Sequence, residues 1–361
     1  MASVVPAPLN EPLNVFASNP VLSEWSLVDV TKGAGQTNRE AILIASKQMT
    51  APTQTSLNLS AEEKNMPMAE AGDCDGICLG IRHHPELTDH ASREESKYRG
   101  FFKQAGTIPT ELLLVAGYYT LQSGSKFTGD TTSFHFHDEG WFGKNTTNAG
   151  VDKLAHAYNT YLLAEILHSR LHRNTDGSHG DALTAAILAF GFTAINEVSD
   201  AIEPDSGYSM QDVIMNGTGA AFSVLRNTVP GLKEKLSYKI EIIPNSDFYT
   251  LSGKEHWSQM RFMLSLKGAG FKKLDNSPLK YLDLQVGYWA SDILNSDREA
   301  GIEPKRHLFV GVGLNVGELL FGRSRTWFGK AANTTLDYFQ LPYTSLRYDT
   351  TGRFGSSGSP R

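Results

Sequence analysis

The chain has 361 residues, a formal net charge of −6 and two cysteines. That length holds one large domain or two, each with a sizeable core. The acidic balance and the lack of any dense Lys/Arg block exclude a nucleic-acid surface. Two cysteines exclude a disulfide framework, and no apolar run reaches the ~18 residues of an ordinary transmembrane helix.

Residues 1–95 are polar, with Pro, Thr, Ser and Asn scattered without period, and read as a partly disordered arm. The arm opens at Val4–Asn14 like the first residues of a mature exported chain whose leader has been removed. Cys74 and Cys78 are not spaced as a redox CxxC pair, which leaves a structural loop or a local disulfide. His83, His84 and His90 read as solvated surface rather than a metal cluster. An arm of this composition is also suited to fold on a partner.

Residues 96–237 read as helical. Thr107–Pro109 starts a helix with Glu111 in its first turn, where negative charge suits the dipole. Leu112–Leu121 is expected to bury one side, and Gln122–Thr132 to form a loop. Phe134–Trp141 alternates aromatic and polar residues. Phe134, Phe136 and Trp141 anchor it, and His135 and His137 face water.

Three further helices carry polar groups on otherwise apolar faces. The first runs from about Val151 to His172, with Asp152, Lys153 and His156 near its start. The i,i+4 spacing lets Asp152 hold the His156 imidazole. The second runs from about Gly180 to Ile202 and ends before Pro204. Its apolar stripe is Ile187, Gly191, Ala194 and Val198. Glu197 and Asp200 lie in its last turns, where negative charge opposes the dipole and calls for a cation such as Lys153 or a metal. The third opens at Ser209 with a capping box to Asp212, and Asp212, Asn216 and Gly219 share a stripe. Gly217, Gly219, Ala220 and Ala221 are small enough for another backbone to approach closely. In an up-down-up arrangement the three polar ends meet on one side.

Gly150-Val-Asp152-Lys153-Leu-Ala-His156, Asn196-Glu197-Val-Ser-Asp200 and Gly207-Tyr-Ser209-Met-Gln-Asp212 with Asn216 and Gly219 resemble a bacterial family of predicted periplasmic lipoproteins of unknown function, distantly similar to VanZ-like proteins. The resemblance covers roughly residues 134–237 and weakens through the strands that follow. It implies a cell-envelope location, periplasmic or outer-membrane, and no established reaction.

From about residue 238 the period changes from 3.6 to 2, through to about 349. Tyr238, Ile240 and Ile242, then Met260, Phe262, Leu264 and Leu266, then Leu282–Tyr288, then Leu308–Val316 alternate apolar with polar or small residues. Phe339–Tyr348 adds a last strand, after a short helix at Ala331–Tyr338. Thr350–Arg361 reads as a disordered tail. The fold class is α+β. A small bundle of three to four helices is followed by an antiparallel β-meander that packs on it or forms part of a membrane β-barrel.

Three readings fit the polar cluster. One is a hydrolase or transferase acting on an envelope lipid or glycan. There His156 is the base, Asp152 orients it, Glu197 or Asp200 is the second carboxyl, and Lys153, Ser209, Asp212 and Asn216 bind. Another is a metal site built from His156, Glu197 and Asp212. The third is a non-catalytic network that locks the helices of a structural or partner-binding outer-membrane component. The expected partners are outer-membrane lipid or other envelope proteins, through the N-terminal arm. The sequence leaves the cofactor open. Gly207–Gln211 lacks the final glycine of a nucleophile elbow, so a hydrolase serine is not expected.

Overall fold

The computed structural model describes residues 98–146, 148–244 and 255–356. The arm at 1–95, with Cys74, Cys78 and the histidines near it, lies outside the described residues. After one turn of helix at Phe101–Ala105 come four long helices. They are α1 (Pro109–Thr128), α2 (Val151–Asn174), α3 (Asp181–Asp200) and α4 (Met210–Thr228). Six strands follow: β1 (Leu236–Ile242), β2 (Met260–Lys267), β3 (Leu282–Ser291), β4 (Lys305–Leu314), β5 (Ser345–Asp349) and β6 (Phe354–Ser356). Two helices sit between β4 and β5, namely α5 (Val316–Phe321) and α6 (Trp327–Leu336).

The architecture is α+β, and the strands pair in chain order as an antiparallel meander. The sheet is not closed into a barrel, because β1 and β6 do not pair. Part of the β1 edge is capped instead. Ile240 N–H donates to Tyr338 O at 3.0 Å, and Gln340 N–H donates to Ile240 O at 2.9 Å. Several boundaries differ from the sequence reading, among them the strand expected at Phe339–Tyr348, which begins only at Ser345, and the helix before it, which starts at Trp327. Helix α1 runs on to Thr128 through the stretch expected to be a loop, and β6 lies where a disordered tail was expected.

Helix α2 is the hub. Its Tyr158 and Tyr161 pack on Tyr238, Ile240 and Phe262 of β1 and β2 and on Tyr288 of β3 in one core cluster. Its Ala164, Leu167 and Leu171 pack on Ala185 and Ala189 of α3 in a second. Against α4 it makes a closer approach at Gly219, where a Cβ would stand 2.0 Å from Ala157 O. The run of small residues there does let the two backbones meet.

Polarity is reversed in two places. On α3 the expected apolar stripe faces outward: Ile187 and Val198 are exposed, and Ala182, Ala185, Ala186 and Ala189 form the buried side. By length and composition α3 is also long and apolar enough to cross a membrane, but 44% of its apolar window is buried within the protein. The sheet shows the same reversal. Tyr238, Leu264, Val286, Val310 and Tyr348 form one cross-strand row on one face. The helices cover the part of that face with Tyr238, Ile240, Phe262 and Tyr288, which are buried, while Leu264, Val286, Val310 and Tyr348 are exposed. The opposite face carries Lys239, Glu241, Asp283, Gln285 and Arg347, and all five are buried. Lys239 Nζ bonds Asp283 Oδ2 at 2.7 Å, and Arg347 of β5 reaches across to Glu241 of β1. Strands four places apart can meet only if the sheet curls with its polar face concave.

Two glycine substitutions test the packing. Gly219→Ala forces α2 and α4 apart and is expected to cost about 1–3 kcal/mol. Gly191→Ala, on the exposed side of α3 with open space around it, is expected to add about 0.5–1 kcal/mol. Urea unfolding of both variants measures this, and equal effects would contradict the assigned packing.

Candidate functional site

Helices α2, α3 and α4 bring their polar ends together beside Glu139, in the loop before α2. Lys153 is 1% exposed and sits at the centre. Its Nζ lies 2.8 Å from Asp152 Oδ2 and 2.8 Å from Asp212 Oδ1, and it also pairs with Glu139. Burial alone would lower the lysine pKa, but Asp152 and Asp212 outweigh it and hold the ammonium form above its usual range.

His156, one turn further along α2, bridges the other two helices. Its Nδ1 is 3.2 Å from Glu197 Oε1 of α3, and its Nε2 is 3.6 Å from Asp212 Oδ1 of α4. Burial again lowers the pKa. The hydrogen bond with Glu197 and the charges of Asp212 and Glu197 overcome both that and the repulsion from Lys153, raising the imidazole to about 9. At neutral pH His156 is therefore an imidazolium. Its side chain is 27% exposed, while those of Glu197 and Asp212 are 2% and 4% exposed.

The network continues inward. Asn216 Nδ2 donates to Glu197 Oε1 at 3.2 Å, and Thr160 Oγ1 donates to Asn216 Oδ1 at 2.9 Å. Tyr119 of α1 also feels the Glu197 charge, although burial is the main reason its phenol is held neutral.

The structure brings together Asp152, Lys153, His156, Glu197, Asp212 and Asn216, with different pairings from those expected. Asp152 bonds Lys153 rather than orienting His156. Glu197 is neutralised by His156, not by Lys153. Asp200 stands outside the cluster, paired with Lys126 of α1 and accepting from Asn196 Nδ2 at 3.2 Å. Ser209 caps α4, its Oγ accepting from Asp212 N–H at 3.3 Å. Glu139, Thr160 and Lys126 were not anticipated. Glu139 sits in the Phe134–Trp141 segment, whose polar residues were expected to face water.

Among the described residues, two sets of three side chains have ligand atoms close enough to share a metal ion: Glu139, Asp152 and Asp212, and His168, His172 and Asp181. In the first, Lys153 Nζ already lies among the carboxylates and supplies the positive charge. In the second, Asp181 Oδ1 is 3.3 Å from His168 Nε2, and Asp181 Oδ2 is 2.7 Å from His172 Nδ1. His156, Glu197 and Asp212, the set expected from sequence, form neither group.

Residues 138–228 match the family model of a predicted periplasmic lipoprotein (DUF2279). That span contains every member of the cluster, from Glu139 to Asn216, and ends at the last residue of α4. The sheet lies outside it. The periplasmic location in the family's description agrees with the envelope location expected from sequence, and the family's function is unknown. Neither the curated proteins nor the solved structures yield a match.

A His156 pKa raised from 6.5 to about 9 ties charge to stability. The stabilisation is fully present below pH ~6.5 and is lost as pH rises through about 9. Replacing His156 by Gln should cost on the order of 2–3 kcal/mol at pH ~6, and progressively less towards pH ~10. Urea unfolding across that range measures it, and a difference independent of pH would contradict the charged state.

Proposed function

We propose that this cell-envelope protein handles protons at the His156 cluster, in a hydrolytic or transfer reaction on an envelope glycan or lipid. The observation that carries this reading is an asymmetry of exposure. The imidazolium reaches the surface while both carboxylates that charge it stay buried. A group kept protonated at neutral pH suits the role of general acid rather than the base role expected from sequence. His156 would give its proton to the leaving oxygen while Glu197 holds the ring through the other nitrogen.

The charge of the site bears on the substrate. Glu139, Asp152, Glu197 and Asp212 stand against Lys153 and His156, so carboxylates outnumber cations. A phosphate group would be repelled, whereas the hydroxyls of a glycan would find acceptors. This favours a sugar-bearing substrate over a lipid phosphate.

A second reading has its own support. Thr160 is fully buried and continues the hydrogen bonds into the bundle. That is what a structural lock between three helices requires.

His156→Gln separates the two. The glutamine keeps a polar side chain that can hydrogen-bond but cannot act as an acid. In a host lacking the native gene, catalysis predicts a folded His156→Gln protein that fails to restore envelope integrity. Full restoration by that variant would eliminate the catalytic reading and leave the lock.

A further inference from the structure

We infer that the uncovered apolar face of the sheet and the α5–α6 hairpin at its end form one surface that docks onto an anionic lipid bilayer. The first argument is polarity. A sheet in water turns its apolar face to the core and its polar face out. Here the buried concave face holds the Lys239–Asp283 and Glu241–Arg347 pairs. Leu264, Leu284, Val286, Val310, Val312 and Leu346 look outward and are exposed. On β4 the outward positions from Leu308 to Leu314 carry no charge, and the next outward residue towards the strand's start is Arg306. Polar inside and apolar outside is the pattern of strands whose surroundings are hydrocarbon.

The second argument is the hairpin. Helix α5 begins at Val316, two residues after β4 ends. Leu319, Leu320, Trp327 and Phe328 are exposed, with Trp327 at 83%. Between and beside them Arg323, Arg325 and Lys330 are exposed as well. The one acidic residue of the hairpin, Glu318, faces Lys280 at 3.7 Å. An amphipathic element with outward Trp, Phe and Leu beside exposed cations that pair with no carboxylate among the described residues suits the headgroup region of anionic lipid. In a symmetric pair of chains the same cations would face one another, so charge complementarity selects an anionic lipid surface over a second copy. The residues involved are separate from the His156 cluster, so failure here leaves the proposed function standing.

The test is co-sedimentation of the full chain with vesicles of phosphatidylcholine, alone or with about a third phosphatidylglycerol. The chain is expected to pellet with the mixed vesicles, with affinity at least about tenfold above that for phosphatidylcholine alone. Leu284→Glu with Val310→Glu alters only outward positions, so it should fold normally and lose about tenfold or more of the binding. Should the full chain stay in the supernatant, the proposal falls, and light scattering then tells whether a second copy or the chain's own residues 1–97 cover the face. Equal binding by the double variant would also overturn it.

Discussion

Charge buried without a partner is the costliest thing a fold can contain, and this fold buries a great deal of charge. Lys153, Glu165, Arg226, Lys239, Glu241 and Asp283 are each 1% exposed or less. Every one of them is paired, mostly with a residue from a different element. Removing one partner from such a pair leaves an uncompensated charge and costs about 3–5 kcal/mol. The pairs therefore act as registration points. Arg226 at the end of α4 binds Glu165 of α2 and also Asp337 just past α6, and Asp337 in turn receives Lys267 of β2 at 2.6 Å. One chain of charges ties the bundle, the sheet and the returning segment together. Burial raises the Glu165 pKa, but Arg226 and Lys233 more than reverse that and hold it below the usual carboxylate value.

The His156 cluster obeys the same rule at the other end of α2, with one difference. There the network reaches the surface at a group that can exchange a proton. Lys153 and His156 are close enough to repel, but Asp152 and Asp212 hold the lysine, and Glu197 and Asp212 the histidine, in the charged form. A site arranged this way keeps a protonated imidazole at neutral pH.

Sequence and structure agree best where periodicity is long. The three polar helices start, and the first two stop, within a few residues of their expected bounds, because Ser209, Pro204 and the glycines before α2 and α3 mark them by local chemistry. The convergence of Lys153, His156, Glu197 and Asp212 was also legible, since helix length and short loops fix which ends meet. Pairings were not. Whether Asp152 turns to its neighbour Lys153 or to His156 one turn on depends on rotamers and on Glu139, which arrives from the segment before α2. The Glu165–Arg226–Asp337 network was invisible, because its members are widely separated along the chain and each looks like an ordinary surface charge. Which strand residues end up buried was not legible for a further reason. Alternation separates apolar from polar residues, but it does not say which set is inside. That is decided by whether the polar set can satisfy itself, as Lys239 with Asp283 and Arg347 with Glu241 do here.

The account turns on the protonation of one ring. Nitrogen-15 NMR of histidine-labelled protein, with His156 assigned by comparison with its Gln variant, reads that state directly. Both ring nitrogens of His156 should stay protonated through neutral pH, with a titration midpoint near 9. A midpoint at or below 6.5, the ordinary value for histidine, would mean that Glu197 and Asp212 do not hold a cation between them, and the acid role would go with it.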